Sequence, residues 1–446
     1  MQAKDHIIGF LDEIEPLNLH GFEIRQGGQR IVCGSARPFS NDVPHRMYSV
    51  SKSVVSLAVG ILVGDGRLHL TDHIVPYFED YAKEKIPDEI TGLTVRDLLR
   101  MATCYDRTAY RPLVDADWTR PFFEGTPQHA AGTIFTYDTG ASQVLGSLVE
   151  RLTGETLLSF VRRRLFEPIG MRGPVKWLTD AAGNPQGGTG LIMPLSDLAI
   201  LAEFCMSDGR GLIDPDYLRA ATSFQIATDM QNMPEERYGY GYFFWQMRQG
   251  FCMFGMGGQM GMCLPDADLV LATTGDLILS GTGVQPIHDA FFRHLAGMRA
   301  SDCLMNDPEI RERIERMTFR AVSGKRPDRK IRIRLLSPVE PVTSIEFGQD
   351  ALTFVTEDGA YTVLCEPDRW TDGVFRPIGP CISSAAMITP SEYRAHIELI
   401  ADTSCAIHTA VSLRDDHAAT VRIQSSTWEC VNGYSGTAPG IWETAD

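Results

Sequence analysis

The sequence of 446 residues lacks the marks of several common protein classes. No apolar run approaches the ~20 residues that a membrane-spanning helix requires. The first residues, Met1 to His6, are polar and do not resemble an export signal. Ten cysteines are present, but no two are spaced as CxxC, which argues against a structural zinc site or a thioredoxin-type motif. We therefore expect reduced, mostly buried thiols and a cytoplasmic location.

Basic charge and the common cofactor motifs are also scarce. Lys and Arg total 41 against 57 Asp and Glu, so the formal net charge is −16 at pH 7. The densest basic stretch, Lys325 to Arg334, is short and interrupted, which disfavours nucleic acid and anionic membranes as partners. The eleven histidines show no metal-binding spacing such as HExxH, and neither GxSxG nor GxxxxGK occurs. We expect neither a metal nor a cofactor.

What is present is the composition of an ordinary globular protein with an α+β organisation. Apolar residues make up 43% and charged residues 22%, and the length suffices for two or three domains. Helical periodicity and a few strands occupy residues 1–300, with a helical insertion predicted at about 70–195. Within this part, Gly27-Gly28 predicts a hairpin turn, Thr94 a helix N-cap, Gly154 the end of a helix and Tyr238–Met247 a strand. A charged helix and a linker follow over 301–330. Short β-branched runs over 331–446 then predict a separate antiparallel β domain, with a hairpin turn at Glu357-Asp358-Gly359.

The most informative segment is Ser49-Val50-Ser51-Lys52, at the start of a long apolar helix. Residues three apart lie on one helix face, so the serine hydroxyl and the lysine amine are within reach of each other. A lysine shielded from water in this position can lose its proton and activate the serine as a nucleophile. The tetrapeptide alone is weak, because a helix-capping serine and a solvated lysine would give the same letters. The rest of the sequence therefore has to show whether this serine and lysine are catalytic.

Two further segments provide that context. Residues Phe135–Gly140 (FTYDTG) open a predicted helix, and Gly255–Gln259 (GMGGQ) lie among predicted strands. Together with the tetrapeptide, and in this order, they resemble the serine hydrolases of the penicillin-recognising family. This family includes class C β-lactamases, D-aminopeptidases and related esterases and amidases. The resemblance covers roughly residues 1–300 and implies an antiparallel sheet flanked by helices, with the helical subdomain inserted.

The resemblance also implies roles for individual residues. Ser49 would be the nucleophile and Lys52 its first partner, and Tyr137 would act as general base and later protonate the leaving group. Which of Lys52 and Tyr137 takes the serine proton stays open. The backbone N–H groups of Ser49 and Gln259 would form the oxyanion hole. Gly257 and Gly258 would let the backbone pass close to a substrate.

The sequence departs from the family pattern at two positions that would bind substrate. The family's Tyr-x-Asn is Tyr137-Asp138-Thr139 here, so a shorter hydroxyl replaces an amide. In the family, the third of these segments usually begins with a lysine or histidine that would anchor a carboxylate. In the corresponding segment here, Gly255–Gln259, Met256 occupies that position. These departures disfavour penicillin-binding and cell-wall peptidase activity. With Phe254, Trp245, Tyr240 and Tyr242, Met256 would suit an apolar substrate group, although for most of these residues plain sheet core is the simpler interpretation.

The sequence therefore predicts a serine hydrolase that forms an acyl-enzyme with a small-molecule ester, amide or peptide lacking an obligatory carboxylate. An esterase is the first choice. An amidase or peptidase of the D-aminopeptidase type, a β-lactamase, and acyl transfer to an alcohol or amine are alternatives within one mechanism. A non-catalytic binding protein on this fold is the alternative from another class. The C-terminal β domain would cover the active-site mouth, select substrates by size or mediate a homodimer, and the sequence does not choose among these.

Overall fold

The computed structural model describes residues 2–81, 86–112, 114–278, 283–300, 302–376, 379–400, 405–425 and 434–445. The chain divides into two compact units, Met1–Met317 and Thr318–Asp446. Each unit has its own apolar core among the described residues. The finer boundaries predicted from sequence, namely the helical insertion and the linker, stay predictions.

The first unit combines helices with an antiparallel sheet. Its described α-helices are Ala3–Ile14, Val50–Gly64, Asp88–Thr91, Val95–Leu99, Arg120–Glu124, Thr139–Thr153, Leu157–Val161, Leu195–Cys205, Pro215–Ala221, Gln285–Ala290 and Pro308–Arg316. Short 3-10 or π-helical turns lie at Val75–Tyr81, Arg162–Phe166, Pro234–Tyr238, Pro265–Ala267 and Phe291–Leu295. The larger sheet has the strand order Gln29–Ser35, Leu19–Gln26, Leu269–Gly275, Gln259–Leu264, Phe251–Gly255 and Trp245–Gln246. A small sheet pairs Leu191–Met193 with both His45–Arg46 and Lys176–Trp177.

The helix Val50–Gly64 is the central buried element of this unit. Every residue from Val50 to Leu62 is buried, as expected from its apolar sequence. Such a helix has no solvent-facing stripe and is held by packing on all sides. Its N-terminus, where Ser49 lies, is therefore a fixed point in the core.

The local sequence explains several helix boundaries. Thr94 caps the helix Val95–Leu99 with a capping box, in which its side chain accepts from the N–H of Asp97. Gly154 ends the helix Thr139–Thr153 in the left-handed conformation, with φ of 72°. Both ends agree with the sequence-based predictions.

The second unit is an antiparallel sheet with the predicted hairpin at Glu357-Asp358-Gly359. Its described strands follow the order Gly359–Leu364, Ala351–Thr356, Val342–Phe347, Lys330–Val339, Gly436–Ala445, Ala418–Ser425, Cys405–Leu413, Glu392–Leu399, Gly379–Thr389 and Thr371–Phe375. Along most of these strands buried and exposed residues alternate, which places one face on the core. The α+β fold class with a C-terminal antiparallel β domain is confirmed.

One strand prediction in the first unit was wrong, and one strand was missed. The segment Tyr238–Met247 was expected to be one strand, but only Trp245–Gln246 pairs in the sheet. Its aromatic residues are buried as loop and turn residues instead of strand residues. The strand Gln259–Leu264 was not anticipated as a strand, because its Met, Gly and Cys residues carry little β-propensity.

Candidate active site

Ser49 and Lys52 lie in direct contact at the start of the helix Val50–Gly64. The Lys52 Nζ donates to Ser49 Oγ at 2.8 Å and to the carbonyl of Gly188 at 3.0 Å. The Lys52 side chain is almost completely enclosed, with an exposed fraction of 1%. Ser49 makes no side-chain capping bond to the helix. The simpler interpretation, a capping serine beside a solvated lysine, is therefore wrong.

The backbone before the helix is strained at this point. Tyr48 is buried and has φ of 45°, a region that a bulky residue rarely adopts. Strained backbone of this kind persists only where the surroundings hold it, and it clusters at functional sites. Among the described residues, the N–H of Ser49 donates to no backbone carbonyl.

Tyr137 belongs to the same cluster as Ser49 and Lys52. Its ring centroid lies 5.0 Å from Lys52 Nζ, and the Ser49 side chain is close enough to its phenol to lower the pKa of that group. Burial raises the pKa of Tyr137 above its ordinary value, and the Ser49 side chain opposes that rise only in part. The phenol is therefore protonated at neutral pH.

Asp138 and Thr139 fix the backbone next to Tyr137. The buried Asp138 carboxylate caps the helix Thr139–Thr153 by accepting from the N–H of Gly140 at 2.8 Å, and it accepts from Thr103 Oγ1 at 3.1 Å. Burial raises the pKa of Asp138, while these hydrogen bonds and the Lys52 charge lower it. The methyl group of Thr139 lies against Gly188, where an added Cβ would come within 2.3 Å of it. The segment Phe135–Gly140 thus contacts the loop whose Gly188 carbonyl accepts a hydrogen bond from Lys52.

A glycine-rich loop at residues 186–190 and the buried Arg46 complete this side of the cluster. Arg46 Nε donates to the carbonyl of Thr189 at 3.0 Å, and its Nη2 donates to Gln186 Oε1 at 3.1 Å. The carbonyl of Gly188, between these two anchors, accepts from Lys52. Sequence reasoning missed both elements. The glycines at 187, 188 and 190, with an arginine inside an apolar segment, are the signal that would have indicated close packing here.

The third motif forms the turn between the strands Phe251–Gly255 and Gln259–Leu264. Gly257 and Gly258 have φ of 83° and 98°, which only glycine adopts without strain. The buried Gln259 side chain holds the turn, because its Nε2 donates to the carbonyls of Met256 at 3.1 Å and Gly275 at 2.7 Å. Met256 itself is 42% exposed.

The end of the strand Phe251–Gly255 packs directly on the segment that leads to Ser49. A Cβ added to Gly255 would lie 2.2 Å from the carbonyl oxygen of Met47. This close approach places Gly255, where the turn begins, against Met47, two residues before Ser49. Ser49, Lys52, Tyr137 and Thr139 therefore lie in one region of the first unit. The turn that contains Gln259 packs, through Gly255, on the segment that leads to Ser49.

Most of the aromatic residues near the three segments belong to the apolar core, as the simpler interpretation of the sequence predicted. Tyr240, Tyr242 and Trp245 are buried. Trp245 stacks on Tyr137 with ring centroids 5.6 Å apart, and Tyr240 meets the same ring edge to face at 6.3 Å. These contacts enclose Tyr137 and account for the burial that raises its pKa.

The described residues show no sign of a metal centre or of a membrane-spanning helix. They contain no group of three or more His, Cys, Asp and Glu side chains placed to hold a metal ion. Every helix that the structure describes is too short or too polar to cross a bilayer.

Comparisons with known proteins identify the family and the fold of the first unit. The beta-lactamase family model matches residues 22–274. The octameric penicillin-binding protein homologue from Pyrococcus abyssi is similar in fold, with a TM-score of 0.54, 16% identity and coverage of 99% of this chain and 100% of that one. No curated protein sequence matches this chain.

Two hydrolases of known structure also share the fold. EstCE1, a hydrolase with promiscuous acyltransferase activity, has a TM-score of 0.51 and 17% identity, and the match covers 65% of this chain and 98% of that one. The D-amino acid amidase from Ochrobactrum anthropi SV3 has a TM-score of 0.50 and 17% identity, with coverage of 65% and 99%. The family match spans more than half of the chain. The protein therefore belongs to the beta-lactamase family of serine hydrolases.

Proposed function

We propose that this protein is an esterase that forms an acyl-enzyme on Ser49, with substrates that need no carboxylate. The observation that carries the proposal is the enclosed contact of 2.8 Å between Lys52 Nζ and Ser49 Oγ. A lysine held on a serine hydroxyl without bulk water is a nucleophile–base pair in the general sense. The family membership supplies the reaction class, which is hydrolysis.

The proton transfers follow from the two groups that contact Ser49. Burial raises the pKa of Tyr137, so we assign the role of proton acceptor to Lys52. Its Nζ donates to Ser49 Oγ in the resting enzyme, and it must first lose a proton to solvent before it accepts the proton of the serine. Ser49 Oγ bonds to the substrate carbonyl carbon as its proton passes to Lys52 Nζ. Tyr137 then donates its phenolic proton to the departing alkoxide and recovers a proton from Lys52. Attack by water reverses these transfers, releases the acid and restores Ser49.

The negative charge of the tetrahedral intermediate requires donors on the opposite side. The N–H groups of Ser49 and Gln259 are proposed for this role, because the Gly255–Gln259 turn packs on the backbone before Ser49. A single oxyanion donor contributes about 3 kcal/mol to transition-state stabilisation. The hydrogen bonds of the Gln259 side chain hold this turn in place.

Met256 determines the class of substrate in this proposal. It stands at the family's cation position, it is partly exposed, and a thioether cannot pair with a carboxylate. An apolar acyl or alcohol group suits this surface better than a β-lactam or a terminal D-Ala. An amidase that accepts uncharged amides is the second candidate, since the same residues serve both reactions.

The test is the intact mass of the protein after brief exposure to nitrophenyl butyrate, to the matching nitroanilide or to a penicillin. We expect a transient butyryl adduct from the ester, little from the anilide and none from the penicillin. Ser49→Ala is expected to lose the adduct and at least roughly a thousandfold in turnover. Its circular dichroism spectrum and thermal midpoint should match the parent.

Ser56→Ala is the matched control, because Ser56 lies on the same helix and contacts Tyr217 at 3.1 Å instead of Lys52. It should keep the adduct. Full activity in Ser49→Ala would exclude the proposed nucleophile. An equally rapid penicillin adduct would contradict the role given to Met256. If no carbonyl compound gave an adduct or turnover, the non-catalytic alternative would replace the esterase.

A further inference from the structure

The second unit contains a cavity that the Ser49 chemistry does not use. It has a volume of about 560 Å³ and is lined by residues of the strands Glu392–Leu399, Cys405–Leu413 and Ala418–Ser425. Ligand cavities in proteins commonly measure 300–1,000 Å³. Ile397, Ile407 and Val421 on these strands belong to the core of the unit. The alternate residues, including Arg394, therefore face the opposite side, where the cavity lies.

Two arginines frame this cavity in one row across the sheet. Arg394 pairs with Ala410, and Ala410 pairs with Arg422, so the arginines are separated by one strand. Neighbouring strands are ~4.8 Å apart, which puts the two backbones about 10 Å from each other. The residue between them has only a methyl group. Both guanidinium groups can therefore reach an anion held over Ala410.

These two charges lack an acidic partner in the part of the chain that the structure describes. Neither Arg394 nor Arg422 forms an ion pair or side-chain hydrogen bond with a described residue. No acidic side chain is among the residues that line the cavity. By contrast, Arg332 on the same sheet bonds Glu346 at 2.6 Å. Two unpaired arginines in one cavity stand out in a chain with a net charge of −16.

The neighbouring row of cross-strand residues, two positions along each strand from the arginines, supplies uncharged polar groups to the cavity. His396, His408 and Gln424 are cross-strand neighbours and all line the cavity. The His396 and His408 rings are 4.1 Å apart, and His396 Nε2 lies 3.1 Å from Glu398 Oε2. Burial lowers the pKa of both imidazoles to about 3, so they are neutral at pH 7. The positive charge in the cavity thus comes from the arginines alone.

Apolar side chains complete the wall. Val322, Ile388 and Ala395 line the cavity beside the polar rows, and Ile388 is 39% exposed. A ligand that fits both parts has an anionic group and an apolar body.

We propose that this cavity binds a small organic anion, whose carboxylate or phosphate lies between Arg394 and Arg422 and whose body packs on Val322 and Ile388. Guanidinium groups suit such anions because their planar donors match pairs of acceptor oxygens. The proposal is independent of the reaction at Ser49.

The experiment is isothermal titration calorimetry of the full chain carrying Ser49→Ala, which prevents turnover of the probes. The probes are phenyl phosphate, benzoate, inorganic phosphate and the neutral benzyl alcohol. We expect saturable 1:1 binding of phenyl phosphate or benzoate, and the stronger of the two identifies the anionic group. Arg394→Gln and Arg422→Gln should each weaken that binding at least tenfold. Arg334→Gln, an exposed arginine on the strand Lys330–Val339 outside the cavity, should leave it unchanged.

Several results would overturn the proposal. The first is that neither phenyl phosphate nor benzoate binds at millimolar concentration. An equal loss in Arg334→Gln would show general surface electrostatics instead of a site. Equal affinity for inorganic phosphate, or binding of benzyl alcohol, would remove the combined anionic and apolar recognition. Thermal melts of each variant establish that it is folded before it is titrated, and Arg394→Lys provides a second variant that keeps the charge.

Discussion

A buried arginine, Arg46, connects the segment before Ser49 with a loop 143 residues later in the chain. It holds Gln186 and Thr189, and the carbonyl of Gly188 between them is an acceptor for Lys52. Its guanidinium also lies 5.1 Å from the ring centroid of Tyr48. Arg46 is thus a positioning residue, which acts on Lys52 through the loop.

Arg46→Met should lower kcat for the nitrophenyl ester by roughly ten- to a hundredfold with little change in KM. Small displacements of catalytic groups have effects of this size. The variant should also lose about 1–3 kcal/mol of stability, because buried acceptors lose their donor. The distinguishing measurement is the pH–rate profile, which should shift because the surroundings of Lys52 change.

Arg46→Lys should restore part of the rate, and Arg172→Met, at an exposed arginine, should leave the rate and the profile unchanged. A rate loss that only follows the folded fraction, with an unshifted profile, would mean that Arg46 is purely structural.

At the scale of elements, the loop at residues 186–190 must pass between two helices. A Cβ added at Gly188 would lie 2.3 Å from Thr139 Cγ2 and 3.2 Å from Lys52 Nζ. At Gly187 it would lie 2.2 Å from the carbonyl oxygen of Ser142. Only glycines allow this loop to reach Lys52 with its backbone.

Gly188→Ala should therefore reduce the esterase rate at least tenfold and cost about 1–3 kcal/mol of stability through overpacking. The rate is measured with nitrophenyl butyrate and the stability by urea unfolding. Gly64→Ala is the control, because its nearest contacts are at 3.7 Å or more and it lies at the end of the same helix as Lys52. A Gly188→Ala variant with the parent's rate would show that the loop does not need this close approach.

Element prediction from sequence succeeded where a strong local pattern existed. The apolar run after Ser49, the Gly27-Gly28 hairpin and the cap at Thr94 were all predicted, since periodicity, turn residues and capping residues act within a few positions. The strands Gly379–Thr389 and Gly436–Ala445 were missed. Both contain Gly, Pro and Ala, and their pairing with distant strands overrides a weak local preference.

At the scale of the whole molecule, the two units have separate apolar cores. Each core buries its own residues, so each unit is expected to unfold as a cooperative step of its own. Differential scanning calorimetry of the full chain should resolve two transitions. A single transition with equal calorimetric and van't Hoff enthalpies would contradict this.

The transition of the second unit should depend on pH through its buried histidines. Folded His408 binds a proton only near pH 3 and an unfolded histidine near pH 6.5, since burial lowers the pKa of His408 to about 3. The unfolded state therefore binds more protons in this window, and stability falls as the pH is lowered below 6.5. Glu398 acts in the opposite direction between pH 4.5 and 8, because burial raises its pKa to about 8.

The substitution His408→Gln removes the contribution of His408 to the pH dependence of stability and leaves that of Glu398. Relative to the parent, the variant should gain about 2 kcal/mol of stability as the pH is lowered from 7 to 5. Calorimetry detects this gain as an increase in the thermal midpoint of the variant relative to that of the parent. His69→Gln, at an exposed histidine of the first unit, is the control. A midpoint difference that does not change with pH would show that His408 is not held neutral by the fold.

The sequence by itself determined the fold class, the family and the pairing of Ser49 with Lys52, because helical periodicity places residues three apart on one face. Tertiary structure alone decided that Lys52 is enclosed, that Gly188 accepts from it and that Arg46 holds that loop. It also decided the row that joins Arg394 with Arg422, which depends on the register of three strands. Local patterns extend over one or two turns, whereas these contacts join residues far apart in the chain and exist only once the core has closed around them.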